Sequence, residues 1–322
     1  MLEDVQAQPH QIGDALWRVE AAGIPTQDLA GGLVVCGMGG SAVGADLAAA
    51  ALRPALRRPI TSARGYEIPA WTGPDTLALC ASYSGSTEET LACFEAAGEA
   101  GAPRVALTTG GELAERAREA GVPVIGVPSG MQPRAAVVYM TVAALQCAAA
   151  CGAAPSSQPE LEQAAALLEQ LVADPEPREL AEALRGTLPV VYGADVGAAP
   201  ARRWKNQFNE NTKLAAFAGE LPEICHNEIE GWRSGLQEAP LAAVMLQAPG
   251  LHDRVERRFD ILAGLLEDQG APVVRVRARG DTRIEHVLSL VLLGDLVSVH
   301  LADLLGVDAE AIPAITAFKS AL

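Results

Sequence analysis

The sequence predicts an α/β protein made of two doubly wound subdomains, each a parallel sheet flanked by helices. Three observations carry the prediction. Short runs rich in Val, Leu and Ile end in glycine, serine or threonine; a helical pattern follows each; and the same order restarts after a polar break in mid-chain. Buried parallel strands that feed crossover helices read this way, because both faces of such a sheet are covered and its strands become near-continuous apolar runs.

In the first half the strands are "GLVVCGMGG", "TLALCASYSGS", "RVALTTGG" and "VPVIGVPSG", with a further strand in "RRPITSARGYEIP". Helices are expected at residues 41–52, 87–101, 112–120 and 134–151. The segment "GAAPSSQPELEQ" (152–163) reads as a linker, and 160–186 as a connecting helical region broken by "DPEP". "TLPVVYGAD", "LAAVMLQAPG" and "APVVRVRARG" are the strands of the second half, with helical patterns beginning near residues 198, 253 and 282. The expected domains are therefore residues 1–152 and 153–322.

Composition narrows the function. A chain of 322 residues with a formal net charge of −16 and no Lys/Arg-rich run lacks the positive footprint that nucleic acid or an anionic membrane surface demands. The six cysteines form no C-x-x-C pair and sit mostly in apolar runs, which fits a reducing cytoplasm. "MLEDVQAQPHQIGDALWRVE" carries acids where a signal peptide has a basic segment before an apolar one. Ala135 to Ala154 is free of charge and long enough to span a bilayer, but it is alanine-dominated and stands among α/β patterns, so a buried core helix is expected. Residues 286–306 have the same look, with Asp295 and Asp303 marking a soluble chain.

"CASYSGSTEETL" (80–91) gathers Ser82, Ser84, Ser86 and Thr87 around Gly85 where a strand hands over to a helix. Backbone N–H groups at a helix start bind phosphate, and hydroxyls supply the further donors that an acidic protein does not draw from lysine. A Ser-x-x-Glu capping box at Ser86 to Glu89 is the plain structural reading, but a cap uses one or two hydroxyls and leaves the others unexplained. "VVCGMGGSAVGADL" (34–47) is a second strand, glycine turn and helix, and Gly37, Gly39 and Ala42 match the spacing G-x-G-x-x-A. The acid that an NAD site wants at the end of the next strand is missing, which leaves an NADP-type site through Arg64, a turn that lines a sugar, or a tight strand-to-helix turn that binds nothing.

Taken together, "GMGGSAVGADL", "SYSGSTEETL", "QPRAAVVY", "NQFNENTKLAAFAGELPEICHNEIEGW" and "FKSAL" resemble the bifunctional phosphoglucose/phosphomannose isomerases of the sugar isomerase (SIS) superfamily. The resemblance runs through nearly the whole chain in order. It implies two SIS subdomains with five-stranded parallel sheets, an active site between them and across a homodimer interface, and no cofactor or metal. By motif, Ser82, Ser84 and Thr87 resemble the phosphate-holding hydroxyls, and Gly39, Gly40 and Ser41 the turn along the sugar. Arg134 resembles the arginine beside the reacting carbons and Glu210 the catalytic base. His226, which such enzymes take from the partner subunit, and Lys319 resemble the ring-opening pair. Ser86 stands where an asparagine is common, and "CHNE" where "NHNE" is usual; neither change removes a group the chemistry needs.

That chemistry asks for such a set on its own terms. Interconverting an aldose and a ketose 6-phosphate opens a hemiacetal and moves a proton between C1 and C2 through an enediolate, which calls for a carboxylate on one face and a fixed cation beside the charge. Judged singly, Glu210 reads as a helix-surface acid, Arg134 as a strand-end cap, Lys319 as a frayed terminal lysine, and His226 as a lone histidine without a second metal ligand at metal spacing. The expected activity is interconversion of fructose 6-phosphate with glucose 6-phosphate and mannose 6-phosphate. A noncatalytic sugar-phosphate sensor is the alternative, although the chain shows no basic helix for an output domain.

Overall fold

In the computed structural model, which describes residues 1–321, the chain opens with α1 (Leu2–Gln6), α2 (Gln8–Ala22), β1 (Gly32–Cys36), α3 (Gly39–Leu52), β2 (Ile60–Ala63), β3 (Thr76–Ala81), α4 (Glu88–Glu99), β4 (Arg104–Thr108), α5 (Gly111–Glu119), β5 (Val124–Gly126) and α6 (Val137–Ala150). It continues with α7 (Gln158–Leu171), α8 (Glu176–Leu184), β6 (Leu188–Gly193), α9 (Ala198–Gln207), β7 (Phe217–Glu220), α10 (Trp232–Glu238), β8 (Leu241–Gln247), α11 (Asp253–Asp268), β9 (Val273–Arg277), α12 (Arg283–Leu305) and α13 (Pro313–Ala321). Two compact units result. The first holds residues 7–166 and 282–284; the second holds residues 1–6, 167–281 and those from 285 onward. The division falls inside α7 rather than at residue 152, because the supposed linker is bonded into the first unit. The carbonyls of Ala150, Cys151 and Ala153 accept from the backbone N–H groups of Gln27, Leu29 and Arg57.

The first sheet is parallel, in the order β2-β1-β3-β4-β5. β1 and β3 are buried along their whole length, as the unbroken apolar runs require. On one face Val34, Cys36 and Cys80 meet Leu91 and Phe94 of α4 and Leu113 and Ala117 of α5. On the other side α2 and α3 each pack against α6. A side chain at Gly44 of α3 would meet the backbone of Met140 in α6 at 2.6 Å, so a glycine is what lets these helices touch. The charge-free stretch that begins at Ala135 thus falls in a largely buried core helix. All six cysteines are unpaired and five are buried. Contact with Cys80 and burial push the Cys36 thiol up against an opposing pull from Cys93, and contact with Cys36 and burial push the Cys93 thiol up, which keeps both protonated.

The second sheet is also parallel but has four strands, in the order β7-β6-β8-β9, where five were expected. After α12 the chain reads "GVDAEAIP", too acidic and too broken by proline to supply a fifth strand. β7 lies inside "AFAGEL", too short and too exposed to show as an apolar run. Tyr192, Trp232, Phe259, Leu262 and Leu266 form the core of this unit. Asp295 is buried in it, while Asp303 faces solvent.

Candidate active site

In a sheet ordered β2-β1-β3-β4-β5, the chain leaves β1 and β3 toward opposite faces, and ligands settle in the crevice beyond their carboxyl ends. Those two ends carry the glycine turn and the hydroxyl loop. Ser82 follows β3 directly and is buried; its Oγ accepts from the N–H of Gly85 at 3.0 Å and shares a hydrogen bond of 2.8 Å with Thr87 Oγ1. Ser84 is exposed, and its Oγ accepts from the N–H of Ser86 at 3.3 Å. The capping box is not formed: α4 starts at Glu88 with Thr87 as its N-cap, and that side chain turns back to Ser82. Gly85 has φ +73°, and an added Cβ would lie 1.9 Å from the Gly110 carbonyl oxygen, so the loop closes against the β4–α5 turn only with glycine there.

Gly39 and Gly40 open α3, with Gly39 at φ +50° and Ser41 buried. A Cβ at Gly40 would stand 3.2 Å from the Pro133 carbonyl oxygen and 3.4 Å from Arg134 Cα, so this turn abuts the arginine's backbone. Arg134 lies in a 3-10 turn over Pro133–Ala136 that leads into α6, and only 3% of it is exposed. The geometry therefore brings Gly40 and Arg134 into contact and ties Ser82 to Thr87. Arg64 is engaged elsewhere: it pairs with Asp46 of α3 at 2.6 Å, and Asp46 also accepts from Ser62 Oγ at 2.9 Å, which leaves the NADP reading without its cation.

Tyr83 is the residue of this region that sequence reasoning missed. Its hydroxyl donates to the Pro128 carbonyl and accepts from the Met131 N–H, both at 3.0 Å, and so ties the hydroxyl loop to the segment leading to Arg134. An aromatic among serines was the available signal; its partners 45 and 48 residues away were not readable.

In the second unit Glu210 sits, partly buried, in a π-helical turn over Phe208–Thr212 that extends α9. The other members of Asn-Glu-Asn-Thr-Lys hold that turn. Asn209 donates to the Leu214 carbonyl, Asn211 to Ser298 Oγ, Thr212 to the Phe208 carbonyl, and Lys213 Nζ to the Glu210 carbonyl at 2.6 Å. His226 is exposed at the end of a short 3-10 turn over Glu223–His226. The segment after it is fastened from β6, where the Tyr192 hydroxyl donates to Glu228 at 2.6 Å and accepts from the Trp232 indole at 2.8 Å. Burial and the Glu228 carboxylate push the Tyr192 hydroxyl's pKa up, keeping it a donor. Lys319 lies on α13, a helix with no buried residue, and is not bonded to His226.

A parallel sheet whose switch point bears a hydroxyl loop, followed by a second such unit bearing a rigid carboxylate turn, defines a double-SIS protein. The bacterial phospho-glucose isomerase C-terminal SIS domain matches residues 173–322. The bifunctional phosphoglucose/phosphomannose isomerase of Aquifex aeolicus is 35% identical, with 90% of each chain covered. That of Caldicellulosiruptor bescii is 34% identical, with 100% of this chain and 98% of its own covered. Among solved structures, the C-terminal domain of glucosamine-fructose-6-phosphate aminotransferase from Francisella tularensis superposes with a TM-score of 0.71 at 14% identity, covering 97% of both chains, a likeness of fold alone. This chain belongs to the bifunctional phosphoglucose/phosphomannose isomerase family.

Proposed function

We propose that the protein interconverts fructose 6-phosphate with glucose 6-phosphate and mannose 6-phosphate by proton transfer through an enediolate. The observation that carries this reading is the pairing, within one family member, of the switch-point loop with buried Arg134 and of a carboxylate on a braced turn. In it, Ser82, Ser84 and Thr87 hold the phosphate with the first N–H groups of α4, and Gly39, Gly40 and Ser41 line the sugar. His226 and Lys319 exchange the protons of ring opening, one taking the anomeric hydroxyl proton and the other protonating the ring oxygen. Glu210 removes the C1 proton of the open ketose, Arg134 stabilises the negative enediolate, and return of the proton to C2 gives the aldose. The enediolate has no stereochemistry at C2, so a site that admits either face yields both epimers. The exposure of His226 supports its service to a partner subunit in a homodimer, and six unpaired thiols support a cytoplasmic enzyme of sugar-phosphate metabolism.

The test is to mix EDTA-treated protein with fructose 6-phosphate in deuterated water and read the products by NMR. Deuterium at C2 of both aldose phosphates is expected. Product that stays free of deuterium even after prolonged equilibration, when repeated turnovers give the carboxylate many chances to exchange its proton with solvent, would overturn the enediolate, and a folded protein that binds the sugar phosphate without turnover or exchange would be a sensor instead.

A further inference from the structure

The second unit contains a buried polar network that the reaction does not use. Arg203 of α9 and Asp295 of α12 are 2% and 1% exposed and form a two-point pair, Nε to Oδ1 at 2.9 Å and Nη2 to Oδ2 at 2.6 Å. One helical turn further on, Ser298 Oγ donates to the Asp295 carbonyl at 2.7 Å and accepts from Asn211 Nδ2 at 2.9 Å. The Trp204 indole donates to the Leu290 carbonyl at 2.7 Å and lies so close over Gly294 that a Cβ there would meet it at 2.1 Å. Leu290, Gly294 and Ser298 follow one another at i, i+4, i+8, and Asp295 lies beside them, so a single face of α12 receives α9 and the turn that follows it.

We propose that Asn211 is a positioning residue: anchored on Ser298, its amide fixes the register of the π-helical turn and with it the direction of the neighbouring Glu210 carboxylate. The argument is rotational. A helix turns about 100° per residue, so relaxing the turn to ordinary α-helical register would carry Asn211 off Ser298 and swing Glu210 with it. That relaxation would leave the fully buried Asn211 amide and the buried Ser298 hydroxyl without each other, which disfavours it. Arg203–Asp295 fixes the helix before the turn and Asn211–Ser298 fixes the turn itself. π-Turns of this kind recur at functional sites, where the extra residue re-aims a side chain.

The inference rests on the reading of Glu210 as the base, and the test separates the two. The full-length Ser298→Ala, Ser298→Thr, Asn211→Leu and Glu210→Gln variants are assayed for kcat and KM with fructose 6-phosphate, and their thermal midpoints are recorded. Ser298→Ala is expected to lower kcat about tenfold or more and Asn211→Leu about a hundredfold, the scale of a misplaced catalytic group, with KM held within about twofold. Ser298→Thr, which keeps the hydroxyl, restores kcat to within about threefold of the parent. Combining Ser298→Ala with Asn211→Leu costs no more than Asn211→Leu alone, because both break one bond. If Glu210→Gln abolishes turnover while Ser298→Ala melts earlier but keeps its kcat, the network is structural only and the inference falls. If Glu210→Gln keeps its turnover, the base assignment falls and the inference with it. Should Asn211→Leu fail to fold, the Ser298 pair decides.

Discussion

The hydroxyl loop over residues 82–87 is closed by its own hydroxyls, Ser82 to Gly85 and Thr87 and Ser84 to Ser86, and by bonds from the β4–α5 turn and the 128–131 segment, whereas the carboxylate turn over 208–213 is pinned by a buried side chain of α12, more than eighty residues away in sequence. The two regions face different demands. An anion can be held by any ring of donors with roughly the right curvature, and a short glycine-and-serine segment supplies one. A base must be aimed at a single carbon, where a displacement of about 1 Å can cost a hundredfold in rate, and so it needs a rigid foundation.

The harshest way to break this comparison is to remove one half of the Arg203–Asp295 pair. Arg203→Leu or Asp295→Leu strands a buried charge and is expected to cost about 3–5 kcal/mol, while the double replacement by leucines recovers most of that loss because two apolar side chains need no mutual neutralisation. Chemical denaturation of the three variants measures it. A single-variant loss below about 1 kcal/mol, the range of a surface pair, would mean that this pair does not hold the helix before the turn.

In the first unit the comparison is sharpened by two glycines, one in the hydroxyl loop and one in the turn that opens α3. Gly85→Ala drives a Cβ into the Gly110 carbonyl and is expected to cost about 2 kcal/mol or more, with a raised KM for the sugar phosphate. Gly39→Ala also sits at positive φ but meets no atom within 4 Å, so it should cost only the left-handed backbone penalty of about 1–2 kcal/mol. Equal effects of the two on KM would show that loop closure against the β4–α5 turn is unimportant. Tyr83→Phe is milder: two hydrogen bonds to the 128–131 segment are lost, at about 1 kcal/mol, with kcat falling more than KM changes if that segment steadies Arg134.

The difference between the regions also explains what the sequence disclosed. Strands β1, β3, β4, β6 and β8 announce themselves because burial on both faces writes an unbroken apolar run, and the switch-point loops because glycine and hydroxyl density is local. β7 was hidden because an exposed four-residue edge strand has no such signature. Ser86 was read as the cap of α4, but Thr87 took that position and gave its hydroxyl to Ser82, a choice made by the folded loop and not by the S-x-x-E spacing. Asp295 read as an ordinary soluble-chain acid because its partner, Arg203, lies 92 residues away. Asn211 was legible as a motif member, but its role depends on Ser298, which carries no motif.

The smallest effect concerns the pinning helix itself. His300 lies on α12, two residues beyond Ser298; burial first, and then the nearby charge of Arg178, lower its pKa against the opposing pull of Asp303. A histidine whose folded pKa lies below its unfolded value costs nothing when both states are neutral, above about pH 6.5. As the pH falls through that value the unfolded chain takes up the proton before the folded one does, so stability declines until the folded pKa is also passed. The thermal midpoint of the parent should therefore drop more steeply below about pH 6.5 than that of His300→Gln, and the two should run parallel above it. If the declines are superimposable, the acid sensitivity of the pinning helix arises elsewhere. If they part as expected, kcat measured across the same window tests whether loosening α12 reaches the carboxylate turn, while an unchanged KM would show that the hydroxyl loop is spared.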